Sequence, residues 1–169
     1  MQKIKEIFKG KLLHLITKAV KLPNGYIANL EVVKHPGAVL IVPFLTKDKI
    51  IILRQLRPVV REYLYELPAG TLEAKELPLP CARRELIEET GYAAKKIVCI
   101  GKIYPAPGYT TEKIIIYRAE GLMKRGKLTE EDEIIKTFTI TKTKVKRLFK
   151  EGKIIDAKTI CALAMCGWL

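Results

Sequence analysis

Three glutamates and an arginine lie within six residues near the middle of the chain, in the segment Arg84-Glu85-Leu86-Ile87-Glu88-Glu89. The segment is predicted to be helical, and helix positions three and four apart share a face. Its glutamate carboxylates therefore converge on one side, where they repel each other and raise the pKa of at least one of them unless a counter-charge is present. A divalent cation such as Mg²⁺ or Mn²⁺ supplies that charge, because hard cations prefer oxygen ligands.

A solvent-exposed helix face is the alternative interpretation of this run, since charge runs are usually solvated. Arg84 and Glu88 would then form an ordinary surface pair four residues apart. The flanking residues favour the metal site. Gly70 and Glu76 precede the run, and Gly91 follows it.

The elements that must position the run are predicted from apolar patterning and turn residues. A helix is expected over Pro78–Thr90, with prolines in its first turn and Gly91 as a left-handed cap. Ala69 and Gly70 are expected to open a loop, and residues 121–133 to form another. Further helices are predicted at 142–151, capped by Thr141, and at 156–167. Strands are predicted at 12–20, 25–34, 38–45, 50–56, 62–67, 96–104, 113–120 and 134–140, which gives an α+β layered fold.

Length and composition indicate one globular domain with an N-terminal appendage. Residues 1–36 are predicted as a β-hairpin region around Asn24-Gly25, and residues 37–169 as the main domain. No apolar run approaches the ~20 residues of a membrane span, and the N-terminus lacks a signal-peptide pattern, so a cytoplasmic location and no membrane partner are expected. The four cysteines show no metal-finger spacing and are expected to be structural thiols.

The net charge of +13 raises the question of a nucleic-acid partner. The lysines are scattered along the whole chain and show no interleaving with aromatic residues of the kind that stacks bases. A lysine-rich solvated surface explains them, and it also suits a small anionic substrate. No nucleic-acid partner is expected.

The spacing around the charged run resembles the Nudix box. The fixed positions span 23 residues and are Gly70, Glu76, Arg84, Glu85, Leu86, Glu88, Glu89, Gly91 and an apolar position at Tyr92, where an aliphatic residue is commoner. The resemblance implies the Nudix fold, a mixed β-sheet sandwiched between α-helices, with a small N-terminal hairpin element. It also implies hydrolysis of a nucleoside diphosphate linked to another moiety.

The resemblance implies a role for each residue of the box. Glu85 and Glu89 become ligands of two or three Mg²⁺ ions, for which Mn²⁺ can substitute. Glu88 becomes a further ligand or a water-mediated catalytic contact, and the backbone carbonyl of Ala69 is implied as a ligand as well. The remaining residues are implied to be orienting or structural: Gly70, Glu76, Arg84 and Gly91.

Residues outside the box resemble the ADP-ribose pyrophosphatases within this family. The resemblance rests on Glu66-Leu67-Pro68-Ala69-Gly70 and on Pro107, fifteen residues after Tyr92. It implies conversion of ADP-ribose and water to AMP and ribose 5-phosphate by a homodimer whose N-terminal strands pack across the partner. Nucleotide sugars, dinucleotides and flavin adenine dinucleotide remain alternative substrates. An RNA-binding Nudix-fold module is an alternative from another class, disfavoured because the box glutamates are all present.

The remaining site residues lie on two other segments. The acidic stretch 130–133 either solubilises a loop or, by the resemblance, supplies Glu131 as the base and Glu133 as an accessory metal ligand. A register shift of one or two residues exchanges these two roles. Arg57 is expected to bind the diphosphate through its planar fork, with Arg54 paired elsewhere or also at the substrate. Pro107 and Glu66 complete the predicted substrate-binding set.

Overall fold

The structure is a computed structural model that describes residues 4–11, 13–126 and 135–169. Its helices are α1 (Pro78–Thr90), α2 (Lys142–Lys150) and α3 (Ala157–Met165). Its strands are β1 (Ile4–Lys9), β2 (His14–Lys21), β3 (Ile27–Lys34), β4 (Ala38–Thr46), β5 (Lys49–Arg57), β6 (Glu62–Glu66), β7 (Ala69–Thr71), β8 (Tyr92–Ile103), β9 (Ile114–Lys124) and β10 (Ile135–Thr141). No helix in these ranges combines the length and apolar character that crossing a bilayer requires.

The described strands form a sheet of three, ordered β1-β2-β3, and a mixed sheet of seven. The larger sheet follows the order β10-β5-β4-β9-β8, with β6 added to β5 and β7 added to β4. Strands β4 and β9 run parallel, whereas β4 pairs antiparallel with β5 and β7. The predicted α+β architecture is confirmed.

Strand β4 lies between two hydrophobic clusters because its residues are apolar on both faces. Leu40 and Val42 pack in the cluster that contains Val145 of α2 and Leu163 of α3. The alternate residues Val39 and Ile41 pack in a second cluster with Cys81, Ala82 and Leu86 of α1. Since successive side chains of a strand point to opposite faces, α1 covers one side of the sheet and α2 with α3 cover the other.

Helix α1 has the bounds that its flanking residues predict. Pro78 and Pro80 lie in the first turn, where a missing N–H costs little. Gly91 has a φ of 76° and donates its N–H to the carbonyl of Ile87, which ends the helix in the left-handed conformation. Thr141 accepts a hydrogen bond from the N–H of Lys144 and caps α2, as predicted.

The structure corrects three local predictions. Residues 69–71 form strand β7 rather than a loop, because Ala69 and Gly70 pair with Leu40 and Val39 of β4. The predicted loop at 121–133 begins later, since β9 continues to Lys124. Strand β1 was not predicted, because all six of its residues are exposed and give no burial pattern.

The three-stranded N-terminal sheet is joined to the rest of the fold by the turn that carries Pro107. The N–H of Val33 donates to the carbonyl of Tyr109, and the N–H of Thr111 donates to the carbonyl of Val33, at 2.8 and 3.0 Å. These bonds form a short parallel bridge between Val33 and Thr110. Strand β3 therefore lies against the turn between β8 and β9.

Candidate active site

Two of the three glutamates of the charged run meet the short strand β7. The N–H of Ala69 donates to Oε2 of Glu89 at 2.9 Å, and Glu89 is only 4% exposed. At the next residue, a Cβ placed on Gly70 would overlap the carboxylate of Glu85. Glycine is therefore required at position 70 for Glu85 to lie against the backbone of β7.

Strand β7 is fixed at this place from both of its ends. The carbonyl of Pro68 accepts a 2.8 Å hydrogen bond from the N–H of Ile41, and Leu72 donates its N–H to the carbonyl of Gly37 at 3.0 Å. One residue before Pro68, the N–H of Leu67 donates to the hydroxyl of Thr159 at 2.9 Å. The sequence Leu-Pro-Ala-Gly is thus held by β4 and by α3 while α1 presents its carboxylates to it.

Arg84 connects the remaining carboxylates of the box. Its Nη1 donates to Glu85 at 2.8 Å and to Glu88 at 2.9 Å, while Nε and Nη2 donate to Glu76 at 3.1 and 3.0 Å. The hydrogen bonds from Arg84, together with one from the N–H of Glu73, lower the pKa of Glu76 to about 2. Arg84 in turn has a raised pKa because of its hydrogen bonds to Glu76. It stays charged and holds Glu85 and Glu88 in place.

The three carboxylates of the run differ in their contacts, although Glu85 shares Arg84 with Glu88 and shares β7 with Glu89. Within residues 4–11, 13–126 and 135–169, no group of three or more His, Cys, Asp and Glu side chains is arranged to hold a metal ion. Arg84 provides the counter-charge for both Glu85 and Glu88, and Glu85 and Glu89 also reach β7. Glu85 and Glu89 bring carboxylate oxygens to β7, and the absence of a side chain at Gly70 lets Glu85 approach the strand. This donor chemistry fits Mg²⁺, which is bound through one or two carboxylates and other oxygens.

A cleft of about 260 Å³ opens beside β7. Its lining includes Ala69, Gly70, Glu112 and the two cationic side chains of Arg57 and Lys158. Small-molecule sites usually occupy about 300–1,000 Å³, so this cleft suits a group of the size of a diphosphate rather than a whole dinucleotide. The cleft therefore places positive charge beside the backbone that Glu85 and Glu89 contact.

Glu66 fixes the guanidinium group of Arg57, which lines the cleft. Nε and Nη2 of Arg57 donate to the two oxygens of Glu66 at 2.8 and 2.7 Å, and Lys158 also bonds to Oε2 of Glu66. Burial disfavours the charged form of Glu66, but the hydrogen bonds and charges of Arg57 and Lys158 outweigh it and lower the pKa of this carboxyl. The same contact raises the pKa of Arg57. Glu66 is 1% exposed, so its carboxylate faces Arg57 and Lys158 rather than the open cleft.

Other predicted substrate residues lie outside this cleft. The guanidinium of Arg54 stacks over the ring of Tyr63, 4.9 Å from its centre, and three positions along β5 put it on the face opposite Arg57. Pro107 is exposed in the turn that binds β3. Glu131 and Glu133 lie outside the described residues.

Sequence reasoning missed Lys158, Thr159 and Glu112. Asp156, which caps α3 by accepting from the N–H of Thr159 at 3.0 Å, is a recognisable helix-start signal in the sequence. This signal predicts the helix but not that the side chain of Lys158 bonds to Glu66, which is 92 residues away in the chain. No spacing rule links residues at that distance.

Comparison with known proteins identifies the family of the chain. The NUDIX domain family matches residues 34–163. A relative from Bacillus subtilis (strain 168), named ADP-ribose pyrophosphatase, is 38% identical over 160 residues, which cover 94% of this chain and 86% of the relative. The chain therefore belongs to the Nudix family, the class of hydrolase that the box predicts.

Two further likenesses extend over nearly the whole chain. A Bacillus methanolicus protein named methanol dehydrogenase activator is 36% identical over 163 residues, covering 95% of this chain and 88% of the relative. A crystal structure of an ADP compounds hydrolase superposes with a TM-score of 0.81 at 22% identity, covering 96% of this chain and 89% of the other. At that identity the likeness concerns the fold, and it confirms the predicted Nudix fold.

Proposed function

We propose that the protein hydrolyses the diphosphate bond of ADP-ribose and releases AMP and ribose 5-phosphate. The observation that carries the proposal is the arrangement around β7. Glu85 and Glu89 contact the backbone of Ala69 and Gly70, and the same two residues line the cationic cleft of Arg57 and Lys158. The substrate follows the relative from B. subtilis, whose name is ADP-ribose pyrophosphatase.

Glu85, Glu89 and the carbonyl of Ala69 would hold Mg²⁺, with Mn²⁺ as a substitute. Glu88 and Glu133 would be the remaining ligands of a site that holds two or three ions. When bound there, Mg²⁺ would neutralise charge on the diphosphate and lower the pKa of the attacking water. The oxygen donors beside Gly70 support this assignment.

Arg57 is the residue proposed to bind the diphosphate. Glu66 accepts from its Nε and Nη2, and Nη1, which bonds to none of the residues that the structure describes, would donate to a phosphate oxygen in the cleft. An arginine oriented in this way donates bonds of fixed direction, which suits phosphate. Glu66 then acts through Arg57 rather than on the substrate itself.

Glu131 is proposed to take the proton of the attacking water, with Glu133 as the alternative. Strand β10 begins at Ile135, and the hydroxyl of Thr137 donates to the backbone carbonyl of Glu89 at 3.0 Å.

A homodimer formed through the N-terminal sheet is part of the proposal. Large apolar side chains are exposed there, including Ile4 at 61%, Tyr26 at 66% and Ile27 at 60%. Large apolar side chains exposed together on one small sheet are typical of an interaction surface. The cytoplasm is the proposed location, because the four cysteines, all of them described, are free thiols, as in a reducing compartment.

A substrate panel with product analysis tests the proposed reaction. In Mg²⁺ the protein is expected to convert ADP-ribose to AMP and ribose 5-phosphate faster than it hydrolyses nucleotide sugars, dinucleotides or flavin adenine dinucleotide. Chelation should abolish turnover, and added Mg²⁺ should restore it. A faster reaction with another member of the panel would replace ADP-ribose as the substrate, and no hydrolysis of any member would reject the proposal.

The variant Glu89→Gln tests the site in the same assay. Its kcat is expected to fall by at least about 100-fold, because metal-ion catalysis supplies several kcal/mol of transition-state stabilisation. Glutamine keeps the oxygen that accepts from Ala69, so the thermal unfolding temperature should change little. The matched control is Glu120→Gln, which removes a carboxylate paired with Arg118 on β9. Near wild-type turnover by Glu89→Gln would show that the metal assignment is wrong.

A further inference from the structure

Lys158 is a cation of the cleft for which the proposed reaction has no role. It lies in the first turn of α3, and its side chain is 18% exposed. Its Nζ bonds to Oε2 of Glu66 and, at 2.8 Å, to Oδ1 of Asp156. Two carboxylates on different elements therefore fix the ammonium group. A lysine bound in this way has lost its usual freedom and is part of the wall of the cleft.

The contacts of Glu66 show that Lys158 binds the ion pair of Arg57 and Glu66. Both oxygens of this buried carboxylate accept from Arg57, and Oε2 accepts from Lys158 as well. Arg57 and Glu66 lie on the adjacent strands β5 and β6, whereas Lys158 belongs to a helix that packs against the sheet. Lys158 ties the pair to α3. The direction in which Arg57 presents its remaining N–H groups therefore depends on Lys158.

The first turn of α3 also supports the other side of the proposed site. Thr159, which is completely buried, accepts from the N–H of Leu67 at 2.9 Å. Leu67 is followed by Pro68 and then by β7, where Glu85 and Glu89 make contact. Adjacent residues of α3 thus bind residue 66 through its side chain and residue 67 through its backbone. One helical turn sets both the phosphate-binding cation and the strand beside the metal-binding carboxylates.

We propose that Lys158 is a positioning residue for the diphosphate, which acts through Glu66 to fix the guanidinium of Arg57 in the cleft. The proposal rests on the proposed function in one respect, that the ligand of Arg57 is the diphosphate of a nucleoside derivative. Lys158 has no contact of its own with the ligand in this scheme. Its effect on binding therefore requires Arg57 to be present.

A double-mutant cycle tests this dependence. The variants are Lys158→Met, Arg57→Met and the double variant, and the readouts are KM and kcat for the hydrolysed substrate together with the Kd of α,β-methylene-ADP, measured by calorimetry in Mg²⁺. Lys158→Met is expected to raise KM and Kd by about tenfold, the effect of losing one hydrogen bond to a charged group. In the Arg57→Met background the same change should alter them by less than about twofold, because the residue through which Lys158 acts is absent.

Two further variants serve as rescue and control. Lys158→Arg keeps a cation that reaches Glu66 and should stay within about threefold of the wild-type Kd. Lys153→Met removes an equal charge from an exposed lysine that pairs with Glu151 at 2.8 Å, and it should leave both KM and Kd unchanged. If Lys158→Met does not fold, Lys158→Gln takes its place in the cycle with the same expected dependence on Arg57.

Each other outcome contradicts a specific part of the scheme. Losses that multiply in the double variant would show that Lys158 contacts the ligand directly, and an unchanged KM and Kd for Lys158→Met would show that it has no role; either overturns the proposal. Binding of the analogue without hydrolysis of ADP-ribose would overturn the proposed substrate alone and leave the cycle readable. Failure of the wild type to bind the analogue would overturn both.

Discussion

Gly70 shows how a single residue type can be required by its neighbour rather than by its own backbone. The spacing of the box marks Gly70 as a fixed position but does not say why. The structure gives the reason, because the carboxylate of Glu85 occupies the space that a Cβ would need. The side of the helix on which Glu85, Glu88 and Glu89 lie was predicted from the sequence, since spacing along a helix determines which residues share a face. The contacts of Glu85 and Glu89 with β7 were not, because they depend on a strand that meets the helix only in the folded chain.

The variant Gly70→Ala tests this explanation. The new methyl group should displace the Glu85 carboxylate, which is the mobile end of a flexible side chain, so the fold survives while the carboxylate moves. We expect kcat in Mg²⁺ to fall by at least about tenfold and the free energy of unfolding to change by about 1–2 kcal/mol at most. Steady-state kinetics and urea unfolding measure the two quantities.

Gly101→Ala is the matched control for Gly70→Ala. A Cβ at Gly101 also meets a side chain, with Sδ of Met165 at 3.1 Å, but this contact lies between β8 and α3 outside the site. It should retain wild-type kcat. Equal losses of kcat in both variants would attribute the effect to crowding in general and contradict the role assigned to Gly70.

At the scale of elements, the sequence predicted helices better than short strands. Prolines and Gly91 bracket α1, and caps mark the starts of α2 and α3, so their positions follow from local chemistry. Strand β7 has three residues, too few for an alternating pattern, and its pairing with β4 joins segments about thirty residues apart. The junction of α3 with β5 and β6 also lay beyond prediction, because it is made by side chains from distant parts of the chain.

Acid should loosen this junction through Glu66. A carboxyl whose pKa is lowered by folding contributes stability that is present above its unfolded pKa and is lost as the pH falls through its folded pKa. Since Arg57 and Lys158 lower the pKa of Glu66, the free energy of unfolding is expected to decline as the pH drops below about 4.5, its ordinary value. Glu66→Gln should cost about 1–3 kcal/mol at neutral pH and show a smaller decline in acid.

Urea unfolding at a series of pH values measures both effects of Glu66→Gln. Glu31→Gln, at an exposed carboxylate on β3, is the control for the change in charge and should follow the wild-type curve. An acid profile of Glu66→Gln that is parallel to that of the wild type would show that this junction does not carry the pH dependence.

At the scale of the whole molecule, composition and the Asn24-Gly25 turn predicted a separate N-terminal hairpin. The structure extends it to a sheet of three strands, distinct from the larger sheet among the described residues. The sequence did not reveal how this sheet is attached, because the link is made by backbone groups of Val33, Tyr109 and Thr111, which any residue types provide. The exposed apolar side chains of the sheet are the basis for the proposed dimer.

Light scattering tests the dimer directly. The wild type is expected at about twice the chain mass of 19.1 kDa. Replacing Phe8 and Ile27, which are 55% and 60% exposed, by aspartate should shift the protein to the monomer, because charges resist burial in an interface. Phe149→Asp, at an exposed aromatic residue on α2, is the control and should remain a dimer. A monomeric wild type at micromolar concentration would contradict the proposal.

Strand β4 contributes one face to each of the two hydrophobic clusters, and this has a consequence for how the molecule opens. Loss of α1 would expose Val39 and Ile41 to solvent, and loss of α2 and α3 would expose Leu40 and Val42. These four residues are consecutive in β4. Neither helical layer can therefore melt as an independent unit, because each leaves the shared strand half solvated. The main domain should behave as one cooperative structure, so damage to the layer of α3 reaches helix α1 on the opposite side.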